Sequence, residues 1–212
     1  MESLNLSWEN LLLKFGIEQQ TAKRLFADLS NLYSRPDRYY HTLKHIRHFL
    51  AEVDALSAQA KNLEAIEFAA WFHDVIYDAK AKDNEERSAE YAETVLSSLD
   101  IPREVIDKVT RLILKTKSHQ ITEDDDIDTK IMLDADLAIL GAEPNEYRRY
   151  AQAIRLEYAW VEDQDYHDGR AKFLQSLLKR QKIYQIEEML EKLETQARQN
   201  IQQEIDAVVI LD

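Results

Sequence analysis

The sequence predicts an all-α protein, and three observations carry that prediction. Glycine and proline are scarce, three of each in 212 residues. Leu, Ala, Glu, Lys, Gln and Arg, the residues that lose least on entering a helix, are abundant. Apolar side chains recur at helical spacing nearly throughout. Helical patterns run over 5–15, 18–33, 42–57, 61–73, 84–98, 102–117, 130–140, 145–162, 170–180 and 183–204.

The first two stretches rest on periodicity alone. Over 42–57 the apolar stripe is Leu43, Ile46, Phe49, Leu50, Val53 and Leu56. At ~100° per residue the stripe centres near Ile46 and Val53. His45 borders it, His48 points towards solvent, and His41 lies near the helix start on the side of His45. Over 61–73 the pattern ends in Phe68-Ala69-Ala70-Trp71-Phe72-His73-Asp74-Val75-Ile76-Tyr77, a titratable pair in otherwise apolar sequence. Asp83 is placed to cap the next helix, with Glu86 three residues on as its capping-box partner. Pro102 and Pro144 stand where first-turn prolines are tolerated.

On 102–117, Lys108, Arg111 and Lys115 form one basic stripe, followed by Lys117 and His119. The run Thr122-Glu123-Asp124-Asp125-Asp126-Ile127-Asp128 reads as a solvated acidic connector. The pattern over 130–140, Ile131-Met132-Leu133-Asp134-Ala135-Asp136-Leu137-Ala138-Ile139-Leu140, is apolar almost all round, which predicts a buried helix. Its two aspartates therefore need partners. An N-cap role accounts for Asp134 if the helix starts late. It does not also account for Asp136, and residues two apart point ~200° apart on a helix. The last helix is charged and ends in Val208-Val209-Ile210-Leu211, a segment suited to docking on the body of the protein or on another subunit.

Length and composition bound the rest. The chain is long enough for one well-buried core, and it holds no internal repeat or low-complexity linker, so a single all-α domain over 1–212 is expected. The absence of cysteine excludes disulfides, thiolate zinc sites and a cysteine nucleophile, and it suits a reducing compartment. No apolar run approaches ~18 residues. Met1-Glu2-Ser3-Leu4-Asn5 lacks the build of a signal peptide. The expectation is a cytoplasmic protein. A formal net charge of −13 argues against nucleic-acid polymers and anionic membranes as partners. It leaves room for a small phosphorylated substrate. GxGxxG and Walker-type phosphate cradles are absent from the sequence.

Burying His73 and Asp74 is costly unless each finds a partner, and a divalent metal takes imidazole nitrogen and carboxylate oxygen together. His45, one helical hairpin earlier, is the best-placed further ligand. One of Asp134 and Asp136 is a candidate ligand, and the other a group that orients a neighbour.

This ordered set resembles the H…HD…D signature of the HD superfamily of metal-dependent phosphohydrolases. The resemblance covers about residues 35–140. It rests on Tyr40-His41-Thr42-Leu43-Lys44-His45-Ile46, Trp71-Phe72-His73-Asp74, Asn84-Glu85-Glu86-Arg87-Ser88-Ala89 and Asp134-Ala135-Asp136-Leu137. These runs look like a bacterial subgroup of predicted HD phosphohydrolases. The resemblance implies an HD-domain helical bundle over about 35–140, with N-terminal helices and a C-terminal helical extension packed on it. It implies one divalent metal (Mn, Mg, Ni, Fe, Co or Zn) on His45, His73, Asp74 and Asp136, with His41 and Asp134 as alternatives. Asp78 and then Glu85 are implied as catalytic carboxylates. His41, Lys115, His119 and Arg155 are the candidates for holding substrate. The implied activity is hydrolysis of a phosphate ester or phosphoanhydride of a small molecule or nucleotide. A non-catalytic nucleotide- or metal-binding module and a di-iron oxygenase are the alternatives, and a homo-oligomer is left open.

Overall fold

The structure is a computed structural model, and it describes residues 2–209, with side chains through residue 207. The protein is an all-α helical bundle, and among the described residues no strand occurs. The helices are α1 (Glu2–Leu13), α2 (Gln19–Tyr33), α3 (Leu43–Ala55), α4 (Leu63–Phe72), α5 (Asn84–Ser98), α6 (Arg103–Thr116), α7 (Ile127–Leu137), α8 (Pro144–Glu157), α9 (Asp163–Leu178) and α10 (Glu187–Val209). A 3-10 turn, Ala138–Gly141, follows α7 directly. Among the described residues no helix is long and apolar enough to cross a membrane. The chain forms two compact units, Met1–Met132 and Leu133–Asp212, and α7 runs through the division.

In the first unit α4 is the centre. Its residues Ala65, Ile66, Phe68, Ala69, Ala70, Trp71 and Phe72 are all buried, and its two charged residues, Glu64 and Glu67, are half-buried and pair with Lys14. Helices α3, α5 and α6 pack around it. Trp8 of α1 meets Phe68, Trp71 and Phe72 edge-on, with ring centroids 6.0, 5.4 and 5.9 Å away. The Tyr33 hydroxyl donates to the Trp71 carbonyl at 2.8 Å. The α4 N-terminus is capped by Asn62, whose Oδ1 accepts from the Ala65 amide at 2.9 Å.

The acidic run 122–128 is not the solvated connector that its composition suggests. Two lysines seven residues apart on one face of α6 clamp it. Lys108 pairs with Asp126 and, at 3.0 Å, with Asp128, while Lys115 pairs with Asp125 at 2.7 Å. Asp126 also caps α7 by accepting from the Thr129 amide at 3.0 Å, so α7 begins three residues earlier than the apolar pattern indicates. Asp128 is buried and accepts from the Lys61 amide at 2.7 Å, ahead of α4.

Two cap assignments also change. Asp83 precedes α5, but its side chain makes no cap hydrogen bond and lies 4.0 Å from Arg87. Glu86 reaches Lys117 instead of turning back to close a capping box. Pro144 opens α8 as expected, whereas Pro102 sits one position before α6. His48 is half-buried and does not point fully into solvent.

In the second unit α8 stops at Glu157, where Arg155 donates to the carbonyls of Tyr158 at 2.8 Å and Val161 at 3.2 Å. Helix α9 starts at Asp163, seven residues before the predicted 170, because the polar run with Gly169 hides its first turns. Helix α10 packs on the 3-10 turn so closely that a Cβ on Gly141 would stand 2.6 Å from Leu193 Cβ. Asn200 Nδ2 fastens the same turn by donating to the carbonyls of Leu140 at 2.9 Å and Ala142 at 2.8 Å. The apolar ending Val208-Val209-Ile210-Leu211, read as a docking segment, lies outside the described side chains.

Gly141→Ala is expected to cost about 1–3 kcal/mol by overpacking. Gly169→Ala, at a helical position with open space around it, is expected to gain about 0.5–1 kcal/mol. Urea unfolding of both variants checks the pair, and equal effects would contradict the close approach. Acid provides a second check. Burial acts to raise the Asp126 pKa, but Lys108 and the Thr129 amide and hydroxyl outweigh it and bring it down from 3.8 to about 2. A depressed carboxylate gives stability that is fully present above its ordinary pKa and lost as pH falls through the folded value. Stability measured from pH about 4 to about 2 should therefore fall less steeply in Asp126→Asn than in the wild type.

Candidate metal centre

The two histidines come from different kinds of local structure. His45 lies in the first turn of α3, which Thr42 starts by accepting from the Lys44 amide at 3.3 Å. The buried stripe Leu43, Ile46, Phe49 and Val53 turns His45 inward, and it is only 4% exposed. His73 is the residue that ends α4, still helical at φ −58° and ψ −35°, and it is 1% exposed. Phe49 packs against both imidazoles, with ring centroids at 5.9 and 5.1 Å.

His73 Nδ1 lies 3.0 Å from the Ala70 carbonyl. A carbonyl only accepts, so Nδ1 carries the proton, and Nε2 of the neutral ring presents a lone pair. That Nε2 is 3.1 Å from His45 Nε2 and 2.9 Å from Asp74 Oδ2. The same Asp74 oxygen is 3.8 Å from His45 Nε2 and 3.9 Å from His41 Nε2. Electron-rich atoms this close in a dry place need a cation or a shared proton among them. Two ligand atoms about 2.1 Å from one ion stand roughly 3.0–3.4 Å apart, which is the range of the closest separations here. Mixed imidazole and carboxylate donors suit a divalent ion.

Asp136 on α7 completes a group with His45 and His73: each offers one ligand atom, and these atoms lie within 4.8 Å of one another. Asp134, two residues earlier, has a different task. It is 1% exposed, and its Oδ2 accepts from the amides of Gln185 and Ile186, each at 2.7 Å, at the start of α10.

The ligand segments are held from two sides. Arg38, buried between α2 and α3, donates to the carbonyls of His41 at 3.0 Å, Asp74 at 2.7 Å and Val75 at 2.9 Å. On the other side, α5 offers two polar side chains one turn apart. Ser88 Oγ accepts from the Ile76 amide at 3.1 Å and lies 3.2 Å from its carbonyl. Asn84 pairs with the Asp78 amide at 3.0 Å and the Asp78 carbonyl at 2.9 Å. Sequence reasoning missed Arg38 and Tyr77, whose ring stacks on His41 with centroids 4.2 Å apart. A basic residue three positions before His41 was the available signal, but its burial was not readable.

The remaining candidates are spread out. Asp78 is exposed, and its Oδ1 accepts from the Lys80 amide at 2.9 Å, closing its own turn. Glu85 is half-buried in the first turn of α5. Lys115 is engaged by Asp125. His119 follows the end of α6 in a left-handed conformation, φ 48°. Arg155 belongs to the second unit, where it holds the end of α8 and pairs with Asp163.

The two aspartates of α7 are expected to separate in experiment. Asp134→Ala leaves two backbone donors short of their acceptor and should cost about 2–4 kcal/mol of stability in metal-free protein. Asp136→Asn should leave that stability within about 1 kcal/mol while lowering divalent-metal affinity by more than about 100-fold. Thermal melting and metal titration of both variants check this, and a metal affinity lost only with Asp134 would reverse the assignment.

No family model, curated protein or solved structure matches the chain. The case for the site therefore rests on its own residues, a His45, His73 and Asp136 group that could hold a metal ion.

Proposed function

We propose that this protein is an HD-type metal-dependent phosphohydrolase that cleaves a phosphate ester or phosphoanhydride of a small molecule or nucleotide. The observation that carries the reading is the convergence of His45, His73 and Asp136, with Asp74 Oδ2 2.9 Å from His73 Nε2. His45, His73, Asp74 and Asp136 are the proposed ligands of one divalent ion. Such an ion lowers the pKa of a bound water and neutralises charge developing on a phosphoryl oxygen.

The protein's own contribution is to fix the donors. The Ala70 carbonyl holds the His73 tautomer, and burial keeps both imidazoles out of competition with solvent. Asp74 and Asp136 are only half-buried, so the carboxylate side is proposed as the face open to substrate. Asp78, whose Oδ1 accepts from the Lys80 amide, is the first proposed proton acceptor and Glu85 the second. His41 and His119 are the proposed contacts to the substrate anion.

The test is phosphate release by the purified chain from a panel of phosphate esters and nucleotides, with Mn, Mg, Ni, Co, Zn and Fe tried in turn. Release should require metal, stop with a chelator, and fall at least about 100-fold in His73→Ala and Asp136→Asn. If the metal-loaded protein releases phosphate from no member of the panel, the proposal fails. Tight nucleotide binding without product would then favour a non-catalytic module. His41 beside Asp74, Nε2 to Oδ2 3.9 Å, favours a second reading in which an enlarged ligand set holds two irons. Elemental analysis giving two irons per chain would select it.

A further inference from the structure

The guanidinium of Arg38 is buried, yet its three hydrogen bonds all go to backbone carbonyls. Nη1 bridges the carbonyls of His41 and Asp74, which are 33 residues apart in sequence, and Nη2 takes the Val75 carbonyl. Its Nε is buried without a hydrogen-bond partner. The rings of Tyr33 and Tyr77 lie against it, at 4.9 and 5.4 Å from its central carbon. Tyr77 is also the ring on which His41 stacks.

Stability alone does not explain this choice. A charge taken out of water and a buried donor left unpaired both oppose folding. What the arrangement provides is geometry. The carbonyls it gathers belong to the two chain segments that bear the histidines and Asp74. A planar fork with several donors fixes those carbonyls relative to one another, which a single rotatable ammonium does not.

We propose that Arg38 is a positioning residue of the metal centre: by joining the His41, Asp74 and Val75 carbonyls it sets where the Asp74 carboxylate stands relative to His45 and His73. This rests on the reading of the site as a metal centre. Arg38 touches no reacting atom. It acts through the backbone of the ligand segments.

Cobalt(II) alone is the probe, because its visible absorption reports ligand geometry and its titration gives affinity without any substrate. In Arg38→Lys and Arg38→Gln, metal-free circular dichroism should match the wild type. Cobalt affinity should fall about 10–100-fold, the range for outer partners of metal ligands, and the visible band should change in position or intensity. Adding methylguanidinium to Arg38→Gly should restore part of the affinity. Wild-type affinity and an unchanged spectrum in both Lys and Gln variants would overturn the proposal while leaving the metal centre intact. A wild-type protein that binds no cobalt would remove the metal centre, and the proposal with it. If the variants do not fold, the guanidinium nitrogen resonances of Arg38 in the wild-type protein decide. A shift and slowed exchange on adding cobalt are expected, and unchanged signals would overturn the inference.

Discussion

The structure turns on the approach of two imidazole nitrogens, His45 Nε2 and His73 Nε2, 3.1 Å apart in a region with almost no solvent. Water cannot screen the electron pairs that meet there, and the Asp74 carboxylate adds negative charge at 2.9 Å. A shared proton or a bound cation satisfies that arrangement. The Ala70 carbonyl occupies the Nδ1 side of His73, so any such cation or proton is met by Nε2. The donors are a consequence of packing: the stripe of α3 turns His45 inward, and the end of α4 releases His73 and Asp74 where the helix stops.

Much of the surrounding polar chemistry serves to keep these groups in place. Ser88 and Asn84 meet the residues after Asp74 with amide and carbonyl contacts of the kind a neighbouring strand would make. Asp134 ties α7 to the start of α10, while the clamp of Lys108 on Asp126 and Asp128 fixes where α7 begins. Removing one partner of the buried Lys108–Asp128 pair would leave an uncompensated charge, which is costly.

The all-α class was legible because helix formers, period and the scarcity of glycine and proline all agree. The members of the candidate centre were legible for a chemical reason: His73, Asp74 and Asp136 are polar groups in apolar runs, which makes them conspicuous. What the acids and bases pair with was not legible. The run 122–128 reads as solvated because its lysine partners lie on another helix, and no local rule links Lys108 to Asp128. Arg38 was overlooked for the same reason, since its partners are carbonyls, which every residue possesses. The start of α9 was lost because Gly169 and three aspartates score poorly in isolation, although the helix also buries Arg170, Leu174 and Leu177.

The pairing of the cations bears on how the proposed phosphohydrolase would attract its substrate. The basic stripe of α6 includes the substrate candidate Lys115, but Lys108 and Lys115 are spent on Asp125, Asp126 and Asp128, and Lys117 on Glu86. Arg155 is engaged with Asp163, and Arg170 with Glu204 at 2.8 Å. Arg38 is turned onto backbone carbonyls. The chain as a whole carries a net charge of −13, which opposes the approach of a phosphate dianion. The reading therefore assigns most of the attraction to the divalent ion itself. On that account metal is required for binding as well as for chemistry, and substrate selectivity is left to His41, His119 and the shape of the residues around them.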